Sequence, residues 1–153
     1  MRRSIGVLLF SGAVLLFLTG CATIALTPVE EDYAVEQSRQ VFGSKCDAII
    51  PVMSKGSMAD ALFISQSVAQ GPSFIARDIV PNFITGNTAQ THVTVFGNNS
   101  AKTARVIKDA LSLSGPSLPG LSLLFIGDQA HADELKPLVE AKGAAFYFRE
   151  FKK

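Results

Sequence analysis

A glycine-containing loop that leaves a strand and opens a helix can bind an anion through its backbone. The first N–H groups of a helix have no intrahelical acceptor, and the helix dipole favours negative charge there. Gly97-Asn98-Asn99-Ser100 has this character, and Lys102 and Arg105 add positive charge just behind it. Gly97, Asn98, Asn99, Ser100 and Lys102 therefore form the candidate anion-binding site. Walker A spacing and the Gly-x-Gly-x-x-Gly fingerprint are both missing. A capped helix with a polar entry loop accounts for the same residues without any ligand.

Gly127-Asp128-Gln129, followed by His131 and Asp133, is the second place where chemistry could sit. It falls after an apolar run that reads as a strand, and ligands of open α/β sheets favour the carboxyl ends of strands. Asp128, His131 and Asp133 include metal-competent types, yet their spacing matches no standard zinc or calcium site. Asp128 also has work to do as a helix N-cap. His92 lies on an alternating strand and meets His131 only if the fold brings the two together. The serines, Ser54 and Ser57 among them, have no nucleophile-elbow context. No metal, cofactor or catalytic set is expected from these spacings, and the reading leans away from an enzyme.

The strongest pattern is an address. Arg2 and Arg3 precede an uncharged apolar run from Ile5 to Leu18, shorter than the roughly 20 residues a membrane span needs. Leu18-Thr19-Gly20-Cys21 follows, an aliphatic residue and two small ones before a cysteine. This segment resembles the signal sequences of bacterial lipoproteins, over about the first 21 residues only. The resemblance implies cleavage before Cys21, a diacylglyceryl thioether on its sulfur, and acylation (typically palmitate) of the new amine. Several acyl chains together hold firmly, at about 0.8 kcal/mol per buried methylene. It also implies that Ala22, where an Asp would favour inner-membrane retention, directs the protein to the periplasmic side of the outer membrane in a diderm. Elsewhere the outer face of the cell membrane is expected. With Cys21 lipidated, Cys46 is left without an intramolecular disulfide partner and reads as a small buried hydrophobe.

Charge narrows the function classes. The chain carries 14 basic and 13 acidic side chains. Losing Arg2 and Arg3 with the leader leaves 12 against 13, a net charge near −1. No basic block is present to neutralise nucleic acid or grip an anionic bilayer.

The elements that must position these residues follow from capping and periodicity. Residues 1–20 form the signal peptide and 21–26 a lipidated tether. Residues 27–43 form a surface helix or stalk, with Thr27, Pro28 and Glu30 as a capping box and Gly43 as its stop. Residues 44–153 form the α/β domain. Within it, a short strand over residues 46–53 precedes a capped helix patterned on Met58, Ala61, Leu62, Ser65 and Val68. Residues 73–80 read as a strand broken at Pro81, with Arg77 and Asp78 as a solvated pair on it. Residues 91–96 alternate, with His92, Thr94 and Phe96 on one side and Val93 and Val95 on the other. Ser100 reads as the cap of a helix over Ala104, Ile107 and Leu111. Leu121 to Ile126 is an apolar run of the kind that a strand buried on both faces requires. A helix over 130–142, kinked at Pro137, and a last strand over 145–151 complete the chain. The expected fold is thus one small α/β domain, with a mixed, mostly parallel sheet, antiparallel pairing around 74–96, and helices packed on it.

The expected function is that of a membrane-anchored envelope lipoprotein, a non-enzymatic protein-interaction or assembly accessory in the periplasm. Its partners would be the membrane, through Cys21, and an envelope protein. A small anionic-ligand module and a hydrolase built around His131 and Asp128 are the alternatives.

Overall fold

A computed structural model of the chain describes residues 26–151. The leader and Cys21 lie outside the described residues. Four parallel strands pair in the order β1-β2-β3-β4. They are β1 (Ala48–Pro51), β2 (Thr91–Phe96), β3 (Leu121–Gly127) and β4 (Ala145–Glu150). The helices are α1 (Pro28–Phe42), α2 (Ser57–Gln70), α3 (Phe74–Ile84), α4 (Ser100–Leu113) and α5 (Gln129–Glu140). Single-direction winding places α3, α4 and α5 on one face of the sheet, over Val93, Val95, Leu121, Leu123 and Phe125. Among the described helices, the opposite face belongs to α1 alone, through Ala34 and Phe42 against Phe96, Leu124 and Ile126. Of the two readings of residues 27–43, the helix is present, from Pro28 to Phe42, and it packs on the sheet. A thin apolar stripe suffices because Ser38, the polar residue in the middle of it, donates to the Thr94 hydroxyl on β2 at 2.8 Å.

The Thr27 capping box forms as expected: Glu30 N–H donates to Thr27 Oγ1, and Thr27 N–H to Glu30 Oε2 at 2.7 Å. His92, Thr94 and Phe96 face α1, and Val93 and Val95 face the main core.

Two expectations are corrected. Residues 74–84 are helical, so no antiparallel pairing exists around 74–96 and the described sheet is wholly parallel. Ser73 caps this helix by accepting the Ala76 N–H, and Ala76, Ile79 and Phe83 are buried at helical spacing. Pro81 sits near the end of α3, exposed, where one missing N–H costs little, and Thr85 Oγ1 donates to its carbonyl. Arg77 and Asp78 are exposed on this helix rather than on a strand. The second correction concerns caps. Asn99, not Ser100, caps α4, and Gly56, with φ 96°, holds the cap position of α2. Pro137 is accommodated within an α5 that is assigned without interruption.

Candidate functional site

The loop that resembled an anion site does hold a carboxylate, and the carboxylate is the protein's own. Asp60 lies in the first turn of α2, with its side chain 1% exposed, and reaches the carboxyl end of the sheet between β1 and β2. Lys102, itself buried, donates from Nζ to Asp60 Oδ1 at 2.9 Å and to the Met53 carbonyl at 2.7 Å. Asn99 Nδ2 donates to Asp60 Oδ2 at 2.9 Å. The Ser54 hydroxyl donates to the same oxygen at 2.5 Å, and the Lys55 N–H to Oδ1 at 3.0 Å. The Phe63 ring lies beneath the Lys102 ammonium, 5.0 Å from centroid to Nζ. Burial pushes the Asp60 carboxyl up, but Ser54, the Lys55 amide and Lys102 together outweigh it and hold its pKa below the ordinary aspartate value.

The remaining loop residues are committed in the same way. Asn99 Oδ1 accepts the Lys102 N–H at 3.0 Å. Asn98 Oδ1 accepts the Ser54 N–H at 3.0 Å. Ser100 Oγ accepts the Asp128 N–H at 2.7 Å, which ties the loop to the end of β3. Gly97 is dictated by crowding, because a Cβ there would lie 2.3 Å from the Val52 carbonyl oxygen and 2.5 Å from Thr103 Oγ1. Lys102 is thus engaged within the protein, and the loop at residues 97–102 holds an internal ion-pair site. Arg105 is likewise engaged, donating to Ser67 Oγ and pairing with Asp109 at 2.7 Å.

The second candidate does not assemble. His92 packs against Phe42 on the α1 face and lies 3.3 Å from Asp47. His131 is on α5, across the sheet, near Arg105, Lys108 and Glu134. Asp128 holds the N-cap position without a side-chain cap bond, and Asp133 accepts from Gln129 at 2.7 Å. Among the described residues no three His, Cys, Asp or Glu side chains come together as a metal site would require. The strand order never reverses, so the sheet has no switch point at which an α/β crevice would open. Cys46 is half-buried beside the α1 cluster, with its thiol 3.4 Å from the Ala48 carbonyl.

What the sequence did not reveal is the orientation of α2. Its inward side carries Asp60, Phe63 and Ser67, and both polar residues are buried. Asp60 binds Lys102, and Ser67 donates to Asp109 while accepting from Arg105 Nε. Its outward side carries Met58, 86% exposed, Leu62, 57%, and Val68, 65%, with Ala61, Ser65 and Ala69 between them. The apolar pattern that ordinarily marks a core-facing stripe here faces out, because two polar anchors on the other side bind α4.

The fold and this surface define a small, singly wound α/β domain whose distinguishing feature is an outward apolar helix face. The chain matches no family model, no curated protein and no solved structure.

Proposed function

We propose that this protein is an envelope lipoprotein, tethered through Cys21, whose α/β domain docks another protein through α2 and performs no catalysis. One observation carries the reading. α2 exposes Met58, Leu62 and Val68 while burying Asp60 and Ser67, the reverse of a helix that merely completes a core. The exposed apolar area on those side chains is roughly 400 Å², the size of the largest patch on many monomers and often functional. The tether reading rests on the lipobox-like Leu18-Thr19-Gly20-Cys21, and the site it implies is the periplasmic side of the outer membrane in a diderm. Among the described residues no helix is long and apolar enough to cross a membrane.

The test places a photo-crosslinking residue at Leu62 in the full-length protein expressed in bacterial cells, with the same residue at Gln129 on α5 as the control. The expected result is a discrete protein adduct from position 62 that is lost when Met58 and Val68 are both changed to Ser. No protein adduct above the Gln129 control would overturn the docking role. Palmitate labelling tests the tether separately: label is expected on wild type and absent from Cys21→Ser.

A further inference from the structure

We infer that the domain stands with the carboxyl end of its sheet against the lipid surface and its amino-end loops turned away; this rests on the tether at Cys21 proposed above. The inference starts from where the chain enters the fold. Leu26 packs in the cluster that holds Phe96, Ile126, Tyr33 and Phe151. Phe96 closes β2, and Ile126 is next to last in β3. Tyr33 donates from its hydroxyl to the carbonyl of Glu150, the last residue of β4, at 2.8 Å. Its ring meets Phe151 edge-on, 5.9 Å between centroids. α1 then runs back along the sheet to the amino end, where Phe42 packs on His92, the second residue of β2. The chain is therefore fixed at the carboxyl end of the sheet from Leu26 onward.

Reach decides the rest. Four residues, Ala22 to Ala25, separate Cys21 from Leu26. Those five steps, fully extended, cover at most about 18 Å. α1 has 15 residues and is about 22 Å long, and it spans the way from the carboxyl end to the amino end. A domain of this size is roughly 35 Å across. A lipid on Cys21 therefore cannot lie beneath the amino-end loops, residues 85–90 and 118–120, while Leu26 keeps its place. The carboxyl end is not itself an adhesive face. Lys55 and Arg149 are exposed there, but so are Asp128, Glu150 and the first turn of α1 with Glu31 and Asp32. The tether rather than charge thus holds the domain close, and the domain stands over the headgroups without entering them. Lying flat on α1 would bring Glu36 down as well, which an anionic bilayer opposes. α2 and α4 both start at this end, as the contacts of Asp60 with Lys102 and of Ser67 with Arg105 show. Met58 is therefore the lipid-near end of the exposed α2 face and Val68 the far end.

The experiment uses the full-length protein, expressed in bacterial cells and reconstituted in vesicles of phosphatidylethanolamine and phosphatidylglycerol that contain a nitroxide-headgroup lipid as quencher. In a Cys46→Ser background, Lys55→Cys and Gln129→Cys report the carboxyl end and Gln90→Cys the amino end. All three positions are exposed, and each carries a fluorophore. Quenching at positions 55 and 129 is expected to be several-fold that at position 90. A Gly/Ser insert of about 15 residues after Ala25 is expected to abolish the contrast while palmitate stays on Cys21, because the reach then exceeds the width of the domain. A photo-crosslinking residue at the same three positions of the otherwise wild-type chain, read as lipid adducts, is expected to give the same order without touching Cys46. Equal quenching at all three positions, or the strongest at 90, overturns the orientation and leaves the tether standing. A contrast that survives the insert overturns the argument from reach. Wild type without palmitate overturns tether and orientation together.

Discussion

Replacing Lys102 with Met keeps most of the side-chain volume and removes only the charge. The cost can be worked from the site. Lys102 and Asp60 are 2% and 1% exposed, so the variant leaves a carboxylate without its cation in a dry position. Breaking a buried pair from one side costs about 3–5 kcal/mol. Three donors, Ser54 Oγ, the Lys55 N–H and Asn99 Nδ2, still serve Asp60, which places the loss near the lower end, about 3 kcal/mol. For a domain of this size that corresponds to roughly 10 °C in Tm. The loss should depend on pH. Without the ammonium, burial raises the Asp60 carboxyl, so protonation relieves the strain, and the gap from wild type narrows as pH falls from 7 towards 4. Asp60→Asn/Lys102→Met should lose less than the two single changes added together, with a coupling of about 2 kcal/mol. Urea unfolding of the four proteins at several pH values measures all of this. A Lys102→Met protein within about 1 kcal/mol of wild type at pH 7, or a gap that does not change with pH, would refute the argument.

Wild-type stability has its own acid limit. Asp60 is held below its ordinary pKa when folded, so its contribution is complete above the usual aspartate range, near 4, and is lost as pH falls through the folded value. Glu134, held down by its hydrogen bond and charge contact with Lys108 at the surface, adds to the same slope, so the Asp60 share is read as the difference between wild type and Asp60→Asn in urea midpoints below pH 4. Gly97→Ala should cost about 1–3 kcal/mol through overpacking against Val52 and Thr103, visible as a lower thermal midpoint. Asn99→Ala removes the α4 cap and a donor to Asp60 and should cost about 1–2 kcal/mol, checked in the same melts. Leu62→Ser should change folding stability by less than about 0.5 kcal/mol, because Leu62 is exposed; a larger loss by urea titration would mean that α2 is seated otherwise.

Much of the scaffold was legible. Thr27-Pro28-Glu30, Gly71-Pro72 and Gly143 mark the ends of elements by local chemistry, which survives any tertiary context. Leu121 to Ile126 reads as a doubly covered strand because both faces must be apolar, and β3 is that strand. Residues 73–80 misled because Ile75, Ile79 and Val80 carry strand propensity and Pro81 reads as a breaker, while the deciding signal was the spacing of Ala76, Ile79 and Phe83. The loop at 97–102 was legible as a concentration of donors. Its acceptor, Asp60, lies 42 residues from Lys102 in sequence, and nothing in local spacing announces such a pairing.

That distant acceptor also explains α2. Hydrophobic periodicity assigns a helix its inner face on the premise that apolar burial is the strongest term available. Here a buried, fully donor-saturated carboxylate on one side competes with Met58, Leu62 and Val68 on the other. Letting α2 roll to bury those three would leave Asp60 and Lys102 each without the other, at a cost of several kcal/mol per buried charge. It would also break the Ser67–Asp109–Arg105 contacts at the far end of the helix. Burying the three apolar side chains would gain about 2 kcal/mol each at most. The ion pair therefore does more than hold α2 in place: it selects which side of the helix faces out. The residues whose types first suggested a ligand site, Asn99 and Lys102 above all, act from beneath, by holding the apolar arc outward.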